Sequence, residues 1–174
     1  IKAAIGAKME LRIASEAKFR KMKYYLEEIK PFLRSPHLRQ QKFLNDIERD
    51  AFLGGAKALM FSIRGPESFG MTMIESMAVG TPVIAYAEGP VREIIKDGKT
   101  GFIVRRSSSD KGSYLIKKMG VSGLREAIRR ISDMPVNEYN DMRLACRKHV
   151  EDNFTIQKMA AGYEGVYKDI IKKE

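Results

Sequence analysis

The chain has 174 residues, 44% of them hydrophobic and 31% charged, the balance of a globular domain that buries roughly two-thirds of the surface its unfolded form exposes. No apolar run approaches the ~20 residues needed to cross a bilayer. The net charge is +10, from 32 Lys and Arg against 22 Asp and Glu, which favours anionic partners in general. The basic residues are scattered, with no long tract, so most are expected on solvated helix faces. The single cysteine, Cys146, excludes an internal disulfide and lies one helical turn after Met142, which suits a reducing, cytoplasmic setting.

In chain order, Ile1 to Ile5 reads as part of a helix already under way, as at the start of a fragment. Met9 to Ala14 alternates Leu11 and Ile13 with charged neighbours and predicts a strand. Phe19, Met22, Leu26 and Ile29 recur at helical spacing, which predicts a helix over Lys18 to Lys30 that buries this stripe and stops at Pro31. A loop carrying Pro36 follows. Leu44, Ile47, Ala51 and Phe52 predict a second helical stripe, ended by Gly54-Gly55. Ala58 to Ile63 is a nearly continuous apolar run, the pattern of a strand covered on both faces.

The stretch Glu67 to Tyr86 reads as loop, helix, glycine stop and strand. Met73, Ile74, Met77 and Ala78 form the expected buried face. Gly80 suits the left-handed position after the helix, Thr81-Pro82 prevents continuation, and Val83 to Tyr86 is the next buried strand. A short helix over Val91 to Lys96, an Asp97-Gly98 turn, a strand over Phe102 to Val104 and a polar loop over Ser107 to Asp110 follow. Three helices close the chain, carrying Leu124, Ile128 and Ile131, then Met142, Cys146 and Val150, then Ile156, Met159, Tyr163, Val166 and Ile170. Strands alternating with helices predict an α/β fold, a Rossmann-like doubly wound parallel sheet with C-terminal helices, whose ligand sits at the carboxyl ends of the strands.

The chemistry is expected in the loop after Ala58 to Ile63, because that loop opens directly into a helix. Phe69, Gly70, Met71 and Thr72 supply unpaired N–H groups backed by the positive end of the helix dipole, a site for phosphate. Gly70 either lets a diphosphate approach the backbone or simply eases a tight turn. Glu67 and Glu75 flank this position, and a carboxylate can take both hydrogens of a vicinal diol such as a sugar or ribose presents. The same two acids also suit the electropositive half of a helix for purely structural reasons. The two histidines, His37 and His149, lie far apart and are expected at the surface. No carboxylate cluster or His pair has metal-ligand spacing, so no metal and no cofactor is expected.

Glu67, Phe69-Gly70, Glu75, Ala78 and Gly80-Thr81-Pro82-Val83, with Gly89, Glu93, Asp97-Gly98 and Thr100-Gly101-Phe102 downstream, resemble the signature of the group 1, or family 4, retaining glycosyltransferases of GT-B architecture. The resemblance implies the C-terminal half of that two-domain fold, with residues 1–174 forming the nucleotide-sugar donor-binding domain. It implies that Glu67, the candidate catalytic residue, holds hydroxyls of the donor sugar, that Glu75 holds the ribose, and that the backbone around Ser68, Phe69, Gly70, Met71 and Thr72 holds the diphosphate. The activity implied is transfer of a hexosyl group from a nucleoside diphosphate sugar to an acceptor sugar, lipid or other small molecule, with retention of configuration. Ser62 and Pro90 depart from the pattern, standing where proline and a second glycine are more usual.

The resemblance also implies a missing N-terminal domain carrying the acceptor site, and an isolated piece that is inactive. Residues 153–174 correspond to a helix that reaches toward that domain; most of its stripe is expected to pack on its own domain, with any exposed part suited to self-association. Basic faces suit peripheral membrane attachment. The main rival is a non-catalytic nucleotide or nucleic-acid-binding module, which the charge favours, but no basic strand interleaved with aromatics, zinc spacing or Gly-rich RNA-binding loop supports nucleic acid. A dinucleotide-dependent oxidoreductase lacks its Gly-x-Gly-x-x-Gly turn.

Overall fold

The computed structural model describes residues 1–15, 22–42, 45–63 and 67–171. Its elements are α1 (Lys2–Ala7), β1 (Leu11–Ala14), β2 (Leu38–Gln41), α2 (Asp46–Gly54), β3 (Leu59–Phe61), α3 (Met71–Ala78), β4 (Val83–Tyr86), α4 (Val91–Ile94), β5 (Gly101–Val104), α5 (Gly120–Ser132), α6 (Val136–Asn153) and α7 (Ile156–Ile171). All strand pairs are parallel: β1 with β2 in one sheet, and β3, β4 and β5 in that order in a second.

Successive residues of a strand face opposite sides of its sheet, and here each side is covered. Ile84, Tyr86, Phe102 and Val104 join Ala3, Ala4, Leu124, Ala127, Ile128, Ile131, Tyr139 and Met142 in one core cluster. Val83, Ala85 and Ile103 join Met73, Ile74, Met77, Val91, Ile94 and Cys146 in the other. Helices α1 and α5 therefore close one face, α3 and α4 close the opposite one, and α6 wraps the edge with residues in both. This is the expected Rossmann-like doubly wound arrangement. Full burial of side chains such as Phe102, Ile84 and Met77 stabilises it by about 1.5 to 3 kcal/mol each.

The N-terminal third differs from the sequence expectation. The region expected to be one regular helix ends in a π-helical turn over Tyr25–Ile29, followed by a 3-10 turn over Lys30–Arg34. A π-turn advances less per residue than an α-helix, so the 3.6-residue stripe loses phase. Met22 and Leu26 are exposed while Tyr25 is buried. Pro31 does not end the helical path; it occupies the first turn of the 3-10 segment, where its missing N–H costs nothing. The expected loop around Pro36 leads into β2, which sequence reading missed because Leu38–Gln41 has only one apolar residue. Phe19, Leu44 and the Arg64-Gly65-Pro66 segment lie outside the described residues.

In α2 the expected stripe is also out of phase: Ile47 is 84% exposed and Leu53 is the buried residue. The helix start is fixed by a reciprocal capping box in which Glu48 N donates to Asn45 Oδ1 at 2.9 Å and Asn45 N donates to Glu48 Oε2 at 3.1 Å. In α3, Met73, Ile74 and Met77 are buried as expected, but Ala78 is exposed and Ser76 is buried in its place. Gly80, at φ 77°, closes that helix in a Schellman motif, with Gly80 N bonded to Met77 O and Thr81 N to Ser76 O.

Every residue of α7 from Ile156 to Ile171 is exposed, so the expectation that most of its stripe packs on its own domain is overturned. No described helix is long and apolar enough to cross a membrane. His149 is not a free surface group either: its Nε2 lies 2.9 Å from Ile94 O and its ring meets Phe154 edge-on, which ties α6 to α4. His37 is half-buried.

Candidate functional site

The parallel strands β3 and β4 run side by side, with Leu59 opposite Val83 and Phe61 opposite Ala85, so the loops after them open at the same carboxyl end of the sheet. Glu67 and Glu88 emerge there and, with Phe61, Ile63, Tyr86 and Val91, line one small cleft. The loop after β3 leads into α3 through Gly70, which has φ 81° as the residue preceding the helix. A side chain there would be strained, and its first carbon would collide with the Met73 methyl. The turn requirement on Gly70 is therefore real, whatever else its backbone does.

No side chain of the N-cap residue caps α3. Instead Glu67 folds back over the helix start: its Oε1 accepts from Gly70 N at 2.9 Å and from Phe69 N at 3.4 Å. A carboxylate is favoured there by the exposed amides and the helix dipole. Negative charge thus already sits against the Phe69 and Gly70 amides at the start of α3. Gly70 is buried, Glu67 is half-buried, and Ser68, Phe69, Met71 and Thr72 are exposed. Phe69 and Met71, on either side of Gly70, are 51% and 55% exposed, and Ile63 in the cleft lining is 43% exposed.

Glu75, further along α3, is brought to α2 rather than to Glu67. Arg49 Nη1 lies 3.1 Å from Glu75 Oε1 and 3.0 Å from Asp46 Oδ1, while Arg49 Nη2 lies 3.1 Å from Asp50 Oδ1. Partial burial works against the Arg49 charge, but its hydrogen bond to Asp50 and the charges of Glu75, Asp46 and Asp50 outweigh that and raise its pKa above the ordinary value. Two buried hydroxyls brace this junction. Thr81 Oγ1 donates to Leu53 O at 2.8 Å, and Ser76 Oγ donates to Thr81 O at 3.0 Å.

Sequence reading missed Arg49, Glu88 and Arg106. Arg106 Nη1 lies 2.8 Å from both Glu88 oxygens, a bridge between the segments after β4 and β5. A signal for that pair existed, since both residues stand just beyond the ends of adjacent parallel strands. For Arg49 the capping box marks where α2 begins but not which residue faces α3, so no signal named it. Among the described residues no group of three His, Cys, Asp or Glu side chains is arranged to hold a metal ion.

Parallel strands, helices on both faces and a helix N-terminus at the strand ends define a Rossmann-like ligand-binding domain. Residues 19–142 match the family Glycosyl transferases group 1, and the chain belongs to that family. Over 132 residues it is 27% identical to N-acetyl-alpha-D-glucosaminyl L-malate synthase of Bacillus anthracis, covering 76% of this chain and 31% of that relative. Its fold is similar to a glycosyltransferase from Rickettsia africae, with TM-score 0.76, 21% identity, and coverage of 99% of this chain and 44% of that one. It is also similar to Anabaena Alr3699/HepE in complex with UDP-glucose, with TM-score 0.72, 16% identity, and coverage of 96% and 44%. The chain thus spans about a third of the curated relative and less than half of these structures, as one Rossmann-like half of the GT-B architecture does.

Proposed function

We propose that this chain is the donor-binding domain of a retaining hexosyltransferase and that it binds a nucleoside diphosphate sugar at the start of α3. Glu67 holds hydroxyls of the donor sugar, Glu75 holds the ribose diol, and the backbone of Ser68, Phe69, Gly70, Met71 and Thr72 receives the diphosphate. The observation that carries this reading is the start of α3, which opens at the carboxyl ends of β3 and β4 with a carboxylate already seated on its Gly70 amide. A carboxylate in that position marks the amides as an anion site. Family membership and the UDP-glucose bound by the Anabaena neighbour agree with it.

Departure of the nucleoside diphosphate builds negative charge on its terminal phosphate. Preorganised amides aimed at that charge stabilise the transition state, and this needs neither metal nor cofactor. The acceptor, a sugar, lipid or other small molecule, comes from a second domain. The exposed stripe of α7, with Ile156, Met159, Tyr163, Val166 and Ile170 all more than half exposed, is the surface that reaches that domain. The isolated chain accordingly binds donor without transferring sugar. Scattered basic faces suit an acceptor held at an anionic membrane surface, and the lone thiol suits a reducing compartment. Calorimetric titration with UDP-, GDP- and ADP-hexoses tests the reading: saturable binding of one series supports it, and no binding by any of them sinks it.

A further inference from the structure

We propose that Arg49 is the positioning residue for Glu75, fixing one carboxylate oxygen so that the other is presented to the ribose diol. The inference rests on the assignment of Glu75 to the ribose. Arg49 is itself held in a defined place. The capping box sets the first turn of α2, Asp46 and Asp50 engage the guanidinium at 3.0 and 3.1 Å, and the Thr81 to Leu53 bond locks the far end of α2 to the segment after α3. The guanidinium then reaches across to Glu75 Oε1 at 3.1 Å, where the Glu75 side chain keeps 25% exposure and is open to a ligand.

The chemistry needs this particular cation. Glu75 shares the Arg49 guanidinium with Asp46 and Asp50, and like charges repel; without Arg49 the Glu75 side chain is driven toward solvent and away from a fixed orientation. A planar fork can bridge carboxylates on two helices, whereas the compact ammonium of lysine can pair but not span them in the same way. Asp46 and Asp50 thus act on the ribose through Arg49, although neither belongs to the loop that carries the remaining candidate groups.

The test compares UDP, GDP and ADP with their 2′,3′-dideoxy counterparts by calorimetry, using the chain itself and its Arg49→Met, Arg49→Lys and Glu75→Ala variants. With Glu75 oriented, the hydroxylated nucleotide binds at least about tenfold tighter than the dideoxy form, the value of one charge-assisted hydrogen bond. Arg49→Met brings that ratio to within about threefold, and Arg49→Lys gives an intermediate ratio. A merely structural role for Arg49 would weaken both nucleotides alike and leave the ratio unchanged. If Arg49→Met keeps the full ratio while Glu75→Ala abolishes it, the positioning role is wrong and the ribose assignment stands. If the unaltered chain shows no ratio, the ribose assignment fails and the inference fails with it. Should Arg49→Met lose its fold by circular dichroism, Arg49→Lys decides, and a full ratio in that variant overturns the proposal.

Discussion

Thr81 Oγ1 donates a 2.8 Å hydrogen bond to the carbonyl of Leu53, from a side chain with no solvent exposure. This bond crosses from the end of α3 to α2 and holds together the two helices that carry Glu75 and Arg49. Replacing the hydroxyl by a methyl of similar size removes this bond but leaves the Leu53 carbonyl its Ala56 N–H at 3.0 Å, so the loss is the net value of one hydrogen bond, about 0.5 to 1.5 kcal/mol. Thr81→Val is therefore expected to lower stability in urea unfolding by that amount. An unchanged midpoint would mean that the junction is not braced there.

The central part of the chain was legible in the sequence because local signals agreed with tertiary burial. Gly80 and Thr81-Pro82 ended α3 where expected, and Val83 to Tyr86 formed a strand buried throughout. The two strand faces meet separate clusters, as the unbroken apolar runs implied. The stretch before β2 was less legible because its turns over Tyr25–Ile29 and Lys30–Arg34 are π- and 3-10-helical, so residues at 3.6 spacing do not share a face. In the site, the resemblance named Glu67 and Glu75, but it could not reveal that one carboxylate lies on its own loop's amides and the other on Arg49. Those partners depend on how separate segments pack, which spacing within one segment does not encode.

Helix α7 has no buried residue among Ile156–Ile171. Its removal should therefore cost this chain little. Truncation after Thr155, which keeps the Phe154 ring against His149, is expected to shift the melting temperature by less than about 2 °C, since ~1 kcal/mol corresponds to about 2 to 4 °C at this size. A fall of more than about 5 °C by differential scanning calorimetry would mean that the helix packs on the domain. In the untruncated chain, Ile156→Asp with Tyr163→Asp should leave stability unchanged while reducing any concentration-dependent self-association seen by sedimentation.

Cys146 is fully buried, and burial pushes its thiol from an ordinary value of 9.0 up to about 12. The unfolded chain therefore loses this proton first as pH rises. Its contribution to stability is complete below pH ~9 and declines between ~9 and ~12, by at most about 1.4 kcal/mol per unit. Cys146→Val is expected to flatten that decline in urea unfolding measured at pH 8, 9 and 10. The native thiol should also react with Ellman's reagent only at the rate of unfolding; rapid reaction of folded protein would contradict its burial.

The most direct test of the account is calorimetric titration of the chain and its Glu67→Ala and Glu75→Ala variants with the tightest-binding nucleoside diphosphate hexose and with the corresponding nucleoside diphosphate. Because Glu67 sits on the Gly70 amide in the free chain, Glu67→Ala should bind the nucleoside diphosphate at least as tightly as before. It should lose about tenfold or more of the extra affinity given by the sugar, as expected for loss of a charge-assisted bond. Glu75→Ala should weaken both ligands by a similar factor. If both variants bind both ligands as the unaltered chain does, the donor does not lie at the start of α3 and the central claim is wrong.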